Sequence, residues 1–285
     1  MTQLDSLVGR SNHISIDNSP GLTKDQFNEM YGYAGLPVLF TQAFRDLPIR
    51  EKWTSAYLMD ALPEKEAVED SAGHGQTLFQ NLEDYMHEGP AGYYYKTGRH
   101  CTGALSGDFT PPDQFDCWYA GTKTGTPRSR LSWLYVGKPG SLSELHRDIW
   151  WTSAWNYLVS GLKVWFIYPP VYNDFIKEDP ETFSIRRILE DPDTVTEMTY
   201  RPLICIQRPG DLIFIPGHYY HGVYNVADSI SLTENFVNET NYDLVRTWFR
   251  SRGNRKNINS IEAIVKEGFS NNAFTSKTHG HGHEN

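Results

Sequence analysis

The chain has 285 residues, of which 39% are hydrophobic and 14% aromatic, and its formal net charge is −9. This length and composition are typical of a folded globular protein, and the acidic balance argues against a general nucleic-acid binder. Three scattered cysteines, Cys101, Cys117 and Cys205, lack zinc-like pairing and predict reduced thiols. Because we find neither a signal-peptide-like apolar core near residue 1 nor an apolar run that could cross a bilayer, we expect a soluble intracellular protein, cytoplasmic or nuclear.

The N-terminal part of the sequence mixes helical and strand patterns. Residues 1–22 are polar and predict an arm, and a helix is expected to begin after Thr23, which forms a capping-box pattern with Gln26. A strand in GLPVLF, a helix over 53–62, an amphipathic helix in TLFQNLEDYMHEG and an aromatic strand in AGYYYKTG follow. The acidic run EKEAVED at 64–70 is interpreted as a solvated surface.

From residue 131 onward, short apolar segments with Gly, Pro and Asp between them predict a double-sheet barrel or jelly roll. Residues 172–195 predict a helical insert, and 241–267 return to helical patterning. The predicted organisation is an arm (1–22), a barrel domain (23–240), a C-terminal helical segment (241–270) and a disordered tail (271–285). The tail carries three histidines alternating with glycine, at positions 279, 281 and 283.

Candidate metal ligands lie in two of these segments. In SELHRDIW, His146 and Asp148 are two residues apart, a spacing that places both on one face of a strand. Farther on, His218 falls in a predicted turn, whereas His221 opens the next strand and is the better ligand. H-x-D alone favours an ordinary buried pair, but with the later histidine it favours a metal. Two histidines and one carboxylate suit Fe(II) that must also bind a cosubstrate and dioxygen.

Lys163 interrupts the otherwise apolar strand of SGLKVWFIYPP. A buried ammonium group needs an anion, which is either a protein carboxylate or a bound dicarboxylate such as 2-oxoglutarate. Other side chains could donate hydrogen bonds to a cosubstrate or substrate: Ser143, Asn156, Thr233 and Tyr93. Arg147 should face away from the ligands as a salt-bridge partner. Six further aromatic residues either line a substrate entrance or pack in the core: Tyr94, Tyr95, Trp118, Tyr119, Trp150 and Trp151.

Two longer motifs carry a family resemblance. Residues 146–165 read H-x-D-x-x-x-T-S-A-W-N-x-L-V-x-G-x-K-x-W, and residues 210–225 read G-D-(apolar)-P-x-x-x-x-H-x-V-x-N. On these motifs the chain resembles JmjC-domain oxygenases of the cupin superfamily and is most similar to the jumonji lysyl hydroxylase group. The resemblance covers most of residues 25–240, with its specific motifs within 143–236.

The resemblance implies a mainly β fold, a double-stranded β-helix (jelly-roll or cupin) core with flanking N-terminal and C-terminal helices. It implies Fe(II) held by His146, Asp148 and His221, and 2-oxoglutarate and O2 as cosubstrates. Hydroxylation of a C–H bond would then yield succinate and CO2. The residues implied in 2-oxoglutarate binding are Lys163, Thr233, Ser143, Asn156 and Tyr93. Trp150 and Trp151 replace smaller residues of the lysyl hydroxylases, a departure that concerns the substrate.

Several substrates and partners fit these patterns. The expected substrate is a protein side chain of the lysine or arginine kind, and a small molecule or free amino acid is the main alternative. An RNA hydroxylase is supported only by the basic cluster in RTWFRSRGNRK (246–256). An N-methyl demethylase and a metal-binding cupin without 2-oxoglutarate chemistry complete the alternatives. We expect no membrane partner.

The C-terminal segment predicts a homodimer. Apolar side chains group on two helical stripes, the first with Leu244, Val245, Trp248 and Phe249 and the second with Ile258, Ile261, Ile264 and Val265. Because a jelly roll already has its own core, these stripes need another cover. That cover is either the same helices of a second subunit or the outer surface of the barrel in the same chain.

Overall fold

The computed structural model describes residue 7, residues 12–70, 77–119 and 131–253, and single positions between 255 and 266. Its N-terminal strands are β1 (Asn12–His13), β2 (Ser15–Asp17), β3 (Val38–Phe40), β4 (Glu66–Asp70), β5 (Leu78–Gln80) and β6 (Tyr93–Thr97). Its later strands are β7 (Ser132–Gly137), β8 (Leu142–His146), β9 (Ser153–Ser160), β10 (Lys163–Tyr168), β11 (Leu203–Gln207), β12 (Leu212–Ile215), β13 (Tyr220–Asn225) and β14 (Ser229–Phe236).

The strands form two sheets that enclose a barrel. One sheet has the order β1-β11-β10-β13-β8, and the other has the order β2-β3-β12-β9-β14-β7-β6-β4-β5. Strands close in sequence, such as β9 and β10, lie in different sheets, which is the jelly-roll arrangement. The predicted mainly β jelly-roll fold is confirmed.

Alternation along the strands separates an interior face from an exterior face. On β10, Trp165 and Ile167 belong to the apolar cluster between the sheets, whereas Val164 and Phe166 pack outward against helices of the insert. On β9, Trp155 and Tyr157 face outward into the large cluster that the N-terminal helices cover. The side chains on the opposite face of β9 and on the Trp165 face of β10 therefore point into the interior of the barrel.

Short helices cover the outer face of the larger sheet. They are α1 (Lys24–Phe27), which continues as a π-helical turn (Asn28–Gly32), α2 (Ile49–Lys52), α3 (Ser55–Ala61) and α4 (Leu82–Glu88). The predicted capping box at Thr23 and Gln26 is present. The expected surface run at 64–70 is instead strand β4, in which Val68 is fully buried. The predicted helix at 77–89 is split, because Asn81 caps α4 after the separate strand β5.

The remaining elements lie at the two ends of the chain and in the insert. Helices α5 (Asn173–Glu178), α6 (Ile185–Glu190) and α7 (Thr194–Glu197) form the insert, and α8 (Tyr242–Ser251) begins the C-terminal segment. Strands β1 and β2, within the expected arm, extend the two sheets by pairing with β11 and β3. The histidine-containing tail lies outside the described residues. Among the helices described, none has the length and apolarity needed to span a bilayer.

Candidate active site

Three side chains that can bind a metal, His146, Asp148 and His221, meet at one place in the barrel. His146 ends β8 and pairs directly with His221 of β13, so the two rings lie with their centroids 4.5 Å apart. The Asp148 Oδ1 atom lies 3.9 Å from Nε2 of His146 and 3.8 Å from Nε2 of His221. All three ligand atoms lie within 4.8 Å of one another, close enough to hold one metal ion.

Asp148 reaches this position from beyond the strand. Strand β8 ends at His146, and Asp148 precedes a short 3-10 turn (Ile149–Trp151). The expectation that both residues project from one strand is therefore wrong for Asp148. Its backbone is still extended, with φ −62° and ψ 158°, so alternation continues past Arg147 and returns the carboxylate to the side of His146.

Backbone carbonyl groups orient both histidine rings. The Nδ1 atom of His146 lies 2.7 Å from the Glu144 carbonyl oxygen, and Nδ1 of His221 lies 3.3 Å from that of Tyr219. A carbonyl oxygen only accepts hydrogen bonds, so each Nδ1 carries the proton and each Nε2 keeps a lone pair directed toward Asp148. This tautomer is the one that a metal ligand requires.

The triad is buried on one side and accessible on the other. The His221 side chain is 6% exposed, and this burial lowers its pKa to about 4, so the ring is neutral at pH 7. The Asp148 side chain is 15% exposed and that of His146 is 46% exposed. A neutral imidazole needs no proton loss to bind a metal, and His146 marks the side from which the site is reached.

Lys163 lies in the same cavity of about 310 Å³, on the inner face of β10. It is 5% exposed, and burial alone lowers its pKa to about 7. No charged group in the described part of the chain contributes to that shift, so a protein carboxylate is excluded as its partner among those residues. The buried ammonium group therefore lacks the anion that its burial requires.

A polar pair lies on the larger sheet, facing the cavity. Asn156 of β9 and Thr233 of β14 are direct neighbours, and the Asn156 amide donates a 2.7 Å hydrogen bond to the Thr233 hydroxyl. The buried Oδ1 atom of Asn156 has no hydrogen-bond partner among the described residues. Rotating this amide would make it accept from Thr233 and turn its NH2 group into the cavity.

Asn225 adds a second amide next to Lys163. It lies directly opposite Lys163 on β13, is 6% exposed and donates to the Ser141 hydroxyl at 2.8 Å. Its buried Oδ1 atom also lacks a partner in the part of the chain described. Gly137 makes room for this amide, since a Cβ atom there would lie 2.3 Å from Asn225 Nδ2.

The cavity phenol differs from the predicted one. Tyr94, together with Ser143, lines the cavity, whereas Tyr93 packs against the apolar cluster on the outer face of the larger sheet. Neighbouring residues of a strand face opposite ways, so only one of the two can reach the cosubstrate region. The structure therefore places Tyr94 in the cavity and the predicted Tyr93 outside it. Burial raises the pKa of Tyr94, whose hydroxyl donates to Glu69 at 2.7 Å.

Two aromatic residues and Lys96 form the wall of the cavity beside Tyr94. The Lys96 ammonium lies 5.4 Å from the ring centre of Trp133 and 5.5 Å from that of Tyr135. The Glu69 carboxylate lies 3.8 Å from the same ammonium. Two ring faces and a carboxylate are the groups that bind cationic side chains in proteins.

Arg147 lies between two aromatic rings. Its guanidinium carbon is 4.8 Å from the ring centres of both Trp151 and Tyr220. Among the described residues, Arg147 makes this cation–π stacking and not the expected salt bridge. His218 is exposed in the β12–β13 turn and is not part of the triad.

The predicted site residues are mostly brought together, and several unpredicted ones join them. Of the six candidate entrance residues, only Tyr94 lines the cavity in the described part of the chain, while Tyr95 is core and Tyr119 packs on Trp150. The unpredicted lining residues include Lys96, Trp133, Tyr135 and Asn225. Alternation in LSWLYVG could have placed Trp133 and Tyr135 on one face, and Asn225 was present in the distal motif.

Fold, cavity and triad agree with the comparison to known families. Residues 133–236 match the family described as "JmjC domain, hydroxylase". This match confirms the resemblance to the jumonji hydroxylase group that the two sequence motifs carry.

Curated proteins similar to this chain are named as oxygenases, hydroxylases or demethylases. The chain is 32% identical over 139 residues to "2-oxoglutarate and iron-dependent oxygenase JMJD4" of Danio rerio, covering 47% of this chain and 32% of that protein. It is 27% identical over 250 residues to "Bifunctional arginine demethylase and lysyl-hydroxylase psr-1" of Caenorhabditis elegans, covering 79% of this chain and 61% of that protein. It is 25% identical over 230 residues to "Arginine-specific demethylase JMJ22" of Arabidopsis thaliana, covering 78% of this chain and 46% of that protein. The chain thus spans between 32% and 61% of the length of these relatives.

Proposed function

We propose that this protein is an Fe(II)- and 2-oxoglutarate-dependent dioxygenase that hydroxylates a C–H bond of a protein side chain of the lysine or arginine kind. One observation carries the proposal: a single cavity contains both the His146, Asp148 and His221 triad and the buried Lys163, which has no anionic partner in the described part of the chain. The first group of residues suits a metal, and the second suits a dicarboxylate.

The donor set fits iron. Two Nε2 lone pairs and one carboxylate oxygen converge from two neighbouring strands and the turn that follows the first. Such a set of two histidines and a carboxylate is typical of non-haem Fe(II) oxygenases, because it leaves coordination positions for other ligands. His146, Asp148 and His221 would hold the ion. Iron, 2-oxoglutarate and O2 together supply the oxidation of a C–H bond to an alcohol, with release of succinate and CO2.

The polar residues of the cavity fit 2-oxoglutarate. Lys163 would bind the carboxylate that lies farther from the metal, since its ammonium has no other anion among the described residues. Thr233, Tyr94 and Ser143 offer hydroxyl groups, and the two amides of Asn156 and Asn225 offer buried polar atoms without partners there. The barrel walls around these groups exclude water and fix the orientation of the cosubstrate.

The cationic substrate is supported by the names of the relatives. The aromatic wall adds no support, because Trp133, Tyr135 and Glu69 already surround the ammonium of Lys96 beside the cavity. Two relatives are named for action on arginine or lysine. For RNA the support is weaker, because Arg246 of the basic cluster pairs with Glu262 and Arg252 stacks on Trp248.

Turnover of 2-oxoglutarate tests this proposal. The purified chain, incubated with Fe(II), 2-oxoglutarate and O2, should form succinate, and lysine- or arginine-containing peptides should stimulate that reaction and gain the mass of one oxygen atom. Loss of a CH2 unit from an N-methylated peptide would instead identify a demethylase. Stimulation by free amino acids alone would favour the small-molecule alternative. A complete lack of succinate would leave a metal-binding cupin without 2-oxoglutarate chemistry.

The homodimer through the C-terminal helices stays a prediction. Val245 and Phe249 are buried against Val237 and Trp150 of the same chain, so the first stripe is covered internally. Ile258 of the second stripe packs on the same cluster, and Ile261, Ile264 and Val265 lie outside the described residues. A dimer contact would then use these last three residues. Sedimentation at micromolar concentration should show a dimer, and a fully active 32.7 kDa monomer would contradict it.

An intracellular location, cytoplasmic or nuclear, also stays a prediction. The Cys205 thiol lies buried in the barrel interior, where burial raises its pKa and keeps it protonated, which suits a reducing compartment. Fractionation of cells that express the full-length protein checks this location, and its recovery from the culture medium would contradict it.

A further inference from the structure

The segment that follows Asp148 has an uncommon backbone. Trp150 and Trp151 have φ values of 56° and 55°, and they are the only non-glycine residues with positive φ in the described part of the chain. This left-handed region is disfavoured for bulky side chains. Such a conformation persists only where the surroundings hold it, and it is concentrated at functional sites.

Inner contacts hold one side of this turn. The Trp151 amide donates to the Asp148 carbonyl oxygen at 3.2 Å, so the turn closes directly onto the backbone of Asp148. The Thr152 hydroxyl donates to the Ile149 carbonyl oxygen at 2.7 Å and accepts from the Asn235 amide at 3.1 Å. These bonds tie the turn to β14 of the larger sheet.

The loop that leads to His221 packs against the same turn. A Cβ atom added at Gly217 would lie 1.9 Å from the Trp151 carbonyl oxygen, so only glycine permits this approach. The backbone that carries the Asp148 ligand is thus in contact with the backbone that carries His221. A shift of the turn would change both.

The C-terminal helix holds the outer side. The Trp150 ring lies between Tyr119 and Phe249, with ring centroids 5.3 Å away in both cases. Phe249 belongs to α8, and its side chain is 2% exposed. The ring is buried between Trp150 and its own helix. The turn with positive φ therefore packs against α8, a helix outside the barrel.

We propose that Phe249 and Trp150 are positioning residues for the metal site, through which α8 fixes the turn after Asp148 and aims the Asp148 carboxylate at His146 and His221. The inference rests on the proposed function, because it takes Asp148 as a metal ligand. Without the Phe249 ring, Trp150 is free to leave its disfavoured φ. The hydrogen bond from Trp151 to the Asp148 carbonyl is then lost, and the carboxylate changes direction.

The alternative is that Phe249 merely covers the apolar face of α8. A covering role predicts lower stability but an unchanged metal affinity in the folded protein. A positioning role predicts weaker metal binding as well, since groups that orient a metal ligand typically change affinity by about 10–100-fold. Metal affinity, measured below the unfolding temperature, separates the two.

The experiment compares Phe249→Ala with Phe44→Ala in the full-length chain. Phe44 is 6% exposed and packs between Phe40 and Phe115, in the apolar cluster on the outer face of the larger sheet. Its replacement by alanine leaves a comparable void outside the cavity that contains the triad. Co(II) affinity of the metal-free protein is measured by calorimetry and by the visible spectrum of the bound ion. We expect Phe249→Ala to bind Co(II) at least about tenfold more weakly than the unmodified chain, and Phe44→Ala to bind it equally well.

Milder variants keep the test informative if Phe249→Ala does not fold. Phe249→Leu should lose part of the affinity, and Trp150→Phe, which retains a ring, should lose less than Trp150→Ala. Equal Co(II) affinity in all folded variants would overturn the positioning role and leave the proposed function intact. A lack of Co(II) binding by the unmodified chain would overturn the proposed metal site and this inference with it.

Discussion

The two halves of the cavity differ in how their charges are balanced. Around Asp148, the carboxylate faces the Nε2 atoms of two imidazoles within 4 Å, and these three acceptors together suit a cation. Around Lys163, a buried ammonium has no charge partner among the described residues, and its pKa falls to about 7. The first half is adapted to a cation, whereas the second is adapted to an anion that none of the described residues supplies.

This difference separates the effects expected of substitutions. Residues at the triad should control whether a metal binds at all. Lys163 should control only the anion, and its removal should relieve the ligand-free fold of an uncompensated buried charge. The two halves can therefore be tested one at a time.

The largest effect is expected for Asp148→Ala. Removing the charged ligand leaves two imidazoles, so metal affinity should fall steeply and succinate formation should cease, while the fold stays largely intact. Metal content and turnover measure this change. His218→Ala is the control, because His218 is exposed in a turn outside the triad and its variant should keep the metal. Full iron content and activity in Asp148→Ala would show that the triad is wrongly assigned.

Lys163→Ala should give the next largest effect, confined to 2-oxoglutarate. Loss of a buried ion pair partner costs roughly 3–5 kcal/mol, which is about a hundred- to a few thousand-fold in affinity. Calorimetric titration of the metal-loaded protein with 2-oxoglutarate measures it, and Co(II) affinity should stay nearly unchanged. An unaltered affinity for 2-oxoglutarate would mean that Lys163 does not bind the cosubstrate.

The pH dependence of 2-oxoglutarate binding sharpens the same contrast. Burial lowers the pKa of Lys163 from 10.5 to about 7, and only the protonated form attracts the anion. Affinity should therefore be flat below about pH 7 and fall by about tenfold per pH unit above it. In Lys163→Ala this slope should vanish. A slope that persists in the variant would assign the titration to another group.

The shift at Lys163 also predicts how the ligand-free fold responds to pH. Above about pH 7 the unfolded chain keeps a proton on this lysine that the folded chain has released. Stability therefore rises with pH in this window, because the unfolded state binds more protons there. Denaturant titrations between pH 7 and 9 should show the rise in the unmodified chain and its absence in Lys163→Ala.

The smallest effect is expected for Thr233→Val. The substitution removes one hydroxyl from the cavity and leaves the Asn156 amide without its 2.7 Å acceptor. A net hydrogen bond contributes about 1 kcal/mol, so 2-oxoglutarate affinity should fall by several-fold. Thr233→Ser keeps the hydroxyl and should bind as the unmodified chain does. If both variants bind equally well, Thr233 makes no contact with the cosubstrate.

The sequence motifs predicted the jelly roll, the triad and Lys163, because these rest on spacing and on the cost of burying charge. The direct pairing of His146 with His221 depends on strands that the helical insert separates in sequence, so spacing alone could not reveal it. The choice between Tyr93 and Tyr94 failed for a different reason. Both faces of β6 carry tyrosine, and a run of three tyrosines does not show which face is inward.

Contacts between segments that are distant in the sequence explain the other differences between the predicted and the observed site. Asp148 lies beyond the end of its strand because a strained turn begins there, and nothing in the tripeptide H-R-D signals that turn. Arg147 stacks on Tyr220, a residue 73 positions later in the sequence (220 − 147 = 73). The contact of Phe249 with Trp150 likewise joins segments whose closeness only the folded chain establishes.

The central claim is that one cavity binds iron through the triad and 2-oxoglutarate through Lys163. The most direct test is anaerobic addition of Fe(II) and then 2-oxoglutarate while the visible absorption spectrum is recorded, since chelation of iron by the keto acid gives a weak charge-transfer band. We expect a band that saturates at one 2-oxoglutarate per chain. The band should be absent in Asp148→Ala, and in Lys163→Ala it should need far more 2-oxoglutarate to appear. No band in the unmodified chain at saturating 2-oxoglutarate, or an equal band in Asp148→Ala, would contradict it.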